Sequence, residues 1–85
     1  MLILPIYFKS INNDDMDSNK YLKIEWLKTE KISPLLYRYK AVNIDKSITF
    51  LFNSKKISEY EDKNIEEFGL KIKSIIVADF KYLKE

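Results

Sequence analysis

Two alternating stretches open the chain. Leu2 to Ile11 places Leu2, Leu4, Ile6 and Phe8 on one side and Ile3, Pro5 and Tyr7 on the other. That period of two predicts a strand with apolar residues on both faces. Pro5 has no ladder donor, which points to an edge position. Lys20 to Lys28 alternates again, with Leu22, Ile24 and Trp26 opposite Tyr21, Lys23, Glu25 and Leu27, the pattern of a half-buried strand. The connector Thr29–Pro34 follows. Its proline biases Ser33 toward an extended conformation and predicts a boundary there.

Leu35 to Asn53 reads as a β-hairpin. A polar cluster, Asn43-Ile44-Asp45-Lys46-Ser47, separates two runs rich in β-branched and aromatic residues, the usual hairpin signal. A turn at Asp45-Lys46, or a loop over Ile44 to Ser47, sets Ala41 against Phe50 and Tyr39 against Phe52. The opposite face then carries Arg38, Lys40 and Val42 against Asn53, Leu51 and Thr49. A slip of one residue would mix the faces, so pattern and turn agree.

After Asn53 the period changes. Ser58 and Glu61 have the spacing of a capping box. Ile57, Tyr60, Ile65 and Phe68 share one side of a helical wheel. Gly69, the single glycine, stands where a helix C-cap wants one. These signals predict a helix over about residues 59–68. Leu70 to Leu83 fits either a strand or a helical stripe. The run Ile75-Ile76-Val77 favours a strand over roughly residues 70–80.

The expected order is therefore β-β-β-β-α-β. It implies an α+β, mainly β domain: about five strands in a mostly antiparallel curled sheet or small barrel, with one short helix. Residues 1–85 carry no internal repeat, linker or low-complexity tract and read as one domain. No stretch matches a family motif.

Composition narrows the function. At 85 residues, the chain buries only roughly 60–65% of the surface it would expose unfolded. A hydrophobic fraction of 46% with 33% charged residues fits a globular domain. The absence of cysteine and histidine removes disulfides, thiolate nucleophiles, the commonest metal ligand and the usual acid–base side chain near pH 7. One glycine cannot build a phosphate loop. The short apolar start has no basic n-region or small-residue cleavage site. No run approaches the ~20 apolar residues of a membrane span. The expected location is the cytoplasm, of a cell or of an infected host. All but one of the 15 basic residues are Lys, and Ile and Asn are abundant. That bias fits AT-rich coding DNA, as in a phage, a virus, another mobile element or a low-GC bacterium.

Asp14, Asp15 and Asp17 crowd one loop. Asp15, Asp17 and Asn19 have the first spacings of a calcium loop, but its sixth position holds Lys20 and its twelfth holds Trp26, where glycine and a bidentate glutamate belong. The loop is expected to be a solvated acidic turn, and no metal or cofactor is expected. A carboxylate pair drawn from these residues and Glu25 is the only formal route to hydrolysis. The chain is too small for a deep pocket, so no enzyme and no small-molecule substrate are expected.

Leu27, Leu51, Ile75 and Val77 fall on outer faces that a monomer would keep polar. Contiguous apolar surface marks partner sites. The leading expectation is a small protein-binding factor, an inhibitor or accessory protein, that contacts another protein or a second copy of itself. Tyr7, Trp26 and Leu51 are its candidate contacts. The alternative is a nucleic-acid-binding domain with Arg38, Lys40, Lys55 and Lys56 on phosphates. A net charge of +2 does not demand that partner.

Overall fold

The computed structural model describes residues 2–12, 21–41 and 47–80. In chain order their elements are β1 (Ile3–Ile11), β2 (Tyr21–Leu27), α1 (Ile32–Lys40), β3 (Thr49–Phe52), β4 (Lys55–Lys56), α2 (Ile65–Phe68) and β5 (Ile75–Asp79). The expected strands at the start and over 20–28 are present as β1 and β2. They pair antiparallel from Ile3↔Leu27 to Lys9↔Tyr21.

The expected hairpin over Leu35–Asn53 does not form. Its first arm is α1, and its Asp45-Lys46 turn lies outside the described residues. The reason is in the apolar spacing. Ile32, Leu35, Leu36 and Tyr39 recur at i, i+3, i+4 and i+7, one face of a helix, and all four are buried. In a strand Leu35 and Leu36 would point to opposite faces, and one of them would be wet. Pro34 falls in the first helical turn, where an N–H has no intrahelical acceptor, so the proline removes no bond. Arg38 and Lys40 occupy the last turn, where the helix dipole favours cations. Tyr39 and Phe50 still meet edge to face, with ring centroids 5.7 Å apart. They do so from a helix and a strand rather than across a hairpin.

A tight hairpin does exist further on. Asn53 and Ser54, both at positive φ (53° and 66°), join β3 to β4 with Phe52 opposite Lys55. Two left-handed residues make the primed turn that suits strand twist, and Asn tolerates that region well.

The second helix is shorter than the sequence predicts and is capped elsewhere. The reciprocal box is Asn64 with Glu67. Glu67 N–H donates to Asn64 Oδ1 at 2.7 Å, and Asn64 N–H donates to Glu67 Oε1 at 3.2 Å. Ser58 instead accepts the Tyr60 N–H at 3.0 Å in a turn. Gly69 caps the helix at φ 106°, as its position predicts. Neighbouring bonds fix α2 against the start of α1. Ile32 N–H reaches Lys63 O, Ile65 N–H reaches Glu30 O, both at 3.1 Å, and Lys31 pairs with Asp62. The hydrogen bond to Asp62, and then its charge, hold the Lys31 ammonium above the ordinary lysine range.

The last segment is a strand over Ile75–Asp79. It runs parallel to β1, from Tyr7↔Ile75 to Ile11↔Asp79, and antiparallel to β3. The sheet order is β2-β1-β5-β3-β4. Three of its four ladders are antiparallel, as expected, but the β1–β5 ladder is parallel, so the sheet is mixed; it is also open, with edges at β2 and β4, rather than a small barrel. A parallel neighbour for β1 requires a crossover, and reading α1 as a strand removed the element available to make it. β1 is consequently central, against the edge position that Pro5 suggests. The ladder to β5 begins at Tyr7, so Pro5 lies beyond it and its missing N–H costs no bond.

The core lies between the sheet and α1. Ile6, Phe8, Ile76 and Phe50 come from the sheet, Ile32, Leu35 and Leu36 from α1, and Ile65 from α2. Phe8 and Tyr39 stack at 4.6 Å. Burial pushes the Tyr39 hydroxyl above the usual tyrosine range.

Candidate protein-docking face

Alternation along each strand sorts the side chains into two sets, and strand pairing aligns them in rows. Leu4, Ile6, Phe8 and Ser10 of β1 turn toward α1. Ile3, Pro5, Tyr7, Lys9 and Ile11 turn the other way, onto a face that no described helix covers. One row on this open face crosses the whole sheet: Tyr21, Lys9, Val77, Leu51 and Lys56. The next row holds Lys23, Tyr7 and Ile75, and further along β1 Leu27 lies beside Ile3.

The centre of this face is apolar and its surround is basic. Tyr7, Val77 and Leu51 are half-buried by their neighbours, while Ile3, Tyr21, Leu27 and Ile75 are exposed. Tyr7, Tyr21, Ile75 and Lys73 line a shallow depression of about 350 Å³. Lys9 Nζ lies 5.8 Å from the Tyr21 ring centroid, within cation–π reach. Lys9, Lys23, Lys56 and Lys73 surround the apolar centre. Glu25 is the exposed acid among the described residues of the face. Asp79 also belongs to this side, but it is buried and accepts a hydrogen bond from Asn12 Nδ2 at 2.9 Å. A second depression, lined by Leu4, Lys28, Glu66, Gly69, Leu70, Lys71 and Ile72, lies away from this face and carries both charge signs on its rim.

Of the three candidate protein contacts, Tyr7 and Leu51 lie on the open face. Trp26 does not. It points to the helix side of β2, packs on the core, and donates from Nε1 to Lys31 O at 3.1 Å. Leu27, Leu51, Ile75 and Val77, flagged in the sequence as outer apolar residues, all fall on the open face. The candidate phosphate contacts are scattered. Arg38 and Lys40 are in the last turn of α1, and Lys40 pairs with Glu59 at 2.7 Å. Lys55 and Lys56 are on β4 with their side chains on opposite faces. The Asp14–Asp17 loop lies outside the described residues. Sequence reasoning missed Tyr21, Lys9 and Lys23 as members of this face, and the place of Lys73 on it. The first three could have been found from the β1–β2 alternation. Lys73 could not, because its place follows from the turn at φ 66° that precedes β5.

No protein-family model matches the sequence, and no curated protein matches it. Solved structures do match in shape. The ubiquitin-like domain of yeast Ddi1 superposes with a TM-score of 0.77 at 12% identity, over all of this chain and 96% of that one. The ubiquitin-like domain of an Arabidopsis thaliana protein gives 0.70 at 18% identity, over all of this chain and 84% of that one. A protein designed de novo on ubiquitin gives 0.67 at 10% identity, over 99% of this chain and 95% of that one. The fold is thus ubiquitin-like, an α+β β-grasp with a five-stranded mixed sheet and a short helix.

Proposed function

We propose that this chain is a non-catalytic protein-interaction module that uses its open sheet face to hold an apolar segment of a partner with acidic flanks. The observation that carries this reading is the arrangement of that face: Tyr7, Leu51, Ile75 and Val77 at the centre, with Lys9, Lys23, Lys56 and Lys73 around them. Contiguous apolar residues on a sheet favour a partner. A surround in which lysines outnumber the exposed acid Glu25 steers and orients a partner of negative charge. The ubiquitin-like fold is compatible with a small interaction module, and the chain has no histidine or cysteine for catalysis. The partner is another protein or a second copy of the chain.

The test is selection from a random peptide library, with binding mapped by NMR shifts on the full chain. The expected ligands carry an apolar anchor beside Asp or Glu. They shift Tyr7, Leu51, Ile75 and Val77, and lose at least about tenfold in affinity to Ile75→Asp. Ligands that map to α1, or that are basic, sink the reading. So does a face that ignores peptides and takes up nucleic acid in a salt-dependent way.

A further inference from the structure

We propose that two copies of this chain join β2 to β2, antiparallel about a two-fold axis through Ile24, so that one continuous sheet runs through both. The two edges of the sheet differ in a way that points to this. β4 is two residues long and both are lysine, a short charged edge that resists pairing with another strand. Self-pairing there would set lysine against lysine. β2 has seven residues in one unbroken register with β1, and no proline, bulge or inward-pointing charge. It is a long edge without the devices by which proteins ordinarily blunt one.

Its backbone is presented for pairing. Lys28 N–H bonds to Leu2 O at 2.7 Å. By the alternation of an antiparallel ladder, Leu22, Ile24 and Trp26 therefore turn their N–H and C=O groups to β1, while Tyr21, Lys23, Glu25 and Leu27 turn theirs to the free edge. The Leu27 carbonyl is taken by Glu30 N–H at 3.0 Å. Among the described residues, no backbone group meets those of Lys23 and Glu25 on that side.

The side chains are self-complementary about Ile24. Reversing the sequence Tyr21-Leu22-Lys23-Ile24-Glu25-Trp26-Leu27 onto itself sets Lys23 opposite Glu25, Leu22 opposite Trp26, Tyr21 opposite Leu27 and Ile24 opposite itself. Every charged residue then meets its opposite, twice by symmetry. Every apolar residue meets an apolar one on the same face. Tyr21, Leu22 and Leu27 are 51%, 43% and 42% exposed in the single chain, and this pairing covers them. A register shifted by two residues would bring lysine or glutamate against an apolar residue, so the charges also select the register. The groups facing Lys23 and Glu25 from within one chain are Tyr7 and Pro5, their β1 partners, and neither is charged. Lys23 and Tyr21 border both surfaces, but Tyr7, Leu51, Ile75 and Val77 take no part in the pairing, so Ile75→Asp tests the open-face reading and Glu25→Lys tests the dimer independently.

A strand-to-strand interface of this length is below the standard size, under about 1,200 Å². The dimer is therefore weak and depends on concentration. The experiment is sedimentation equilibrium of the full chain from about 10 µM to about 1 mM, with four samples. Wild type is expected to dimerise across that range. Glu25→Lys and Lys23→Glu each put like charges opposite one another and are expected to weaken the dimer at least about tenfold. An equimolar mixture of the two is expected to dimerise again, because each Lys–Glu contact is rebuilt between unlike copies. Both positions are exposed, and circular dichroism checks that the variants keep their fold. A wild type that stays monomeric at about 1 mM overturns the proposal. So does a variant that dimerises as well as wild type, which would place the contact on another surface, or a mixture that fails to recover.

Discussion

Phe8 and Tyr7 are neighbours in β1, one under α1 and the other on the open face. Phe8 is closed in by Tyr39 and Phe50. Tyr7 has Ile75 and Lys23 beside it and no described element above it. Both faces of the strand are rich in apolar residues, yet only one is core. Apolar character on a strand therefore says that the strand is central, not which side is covered. The covered side holds the molecule together, while the open side carries no described element.

That contrast can be broken most directly at Phe8. Phe8→Ala should cost about 3–5 kcal/mol, a large share of the ~5–15 kcal/mol that such domains have. Urea unfolding measures it. Next come Leu35→Ala and Leu36→Ala, each costing about 2–5 kcal/mol. A helix buries both, whereas a strand would bury one, so unequal losses would count against α1. Asn64→Ala should cost about 1 kcal/mol through the lost cap, and Ser58→Ala under about 0.5 kcal/mol. If these two are reversed, the helix begins at Ser58 after all.

Smaller at neutral pH is Tyr39→Phe, whose effect grows under alkali. Folding raises the Tyr39 pKa because the buried phenolate is poorly solvated. Its stabilising contribution is complete below the unfolded value near 10 and is lost as pH climbs through the higher folded value. Thermal melts from pH 8 to 11 should show that loss in wild type and a smaller one in the variant. Smallest is Ile75→Ser, which should stay within about 1 kcal/mol of wild type. A loss as large as that of Phe8→Ala would mean that the open face is core.

How much of this was legible in the sequence depended on whether local pattern and tertiary setting agreed. β1 and β2 are regular alternations and were readable, as was Gly69 at the end of α2. The outer position of Leu27, Leu51, Ile75 and Val77 was also readable, because period two assigns a face without knowledge of sheet order. α1 was not. Tyr37-Arg38-Tyr39-Lys40 alternates and favours strands locally, while the helical signal is spread over Ile32, Leu35, Leu36 and Tyr39 and straddles Pro34. The choice was made by burial of Leu35 and Leu36 together, a property of the packed state. The parallel pairing of β1 with β5 leaves no local trace at all. The candidate docking face was thus half visible: its residues could be named, but their assembly into rows needed the sheet order.

The same pairing has a consequence in time. β1 is made early and lies mid-sheet, but one of its two neighbours, β5, comes after every other described element. Joining Tyr7 to Ile75 closes a loop that spans most of the chain, an entropic cost met before the contact gives anything back. On a ribosome adding about 5–20 residues per second, the β1–β2 pair and α1 wait some seconds with one side of β1 open. During that interval the nascent domain shows a bare strand to whatever is nearby, and its folding rate should respond more to changes in β5 than to changes in β4.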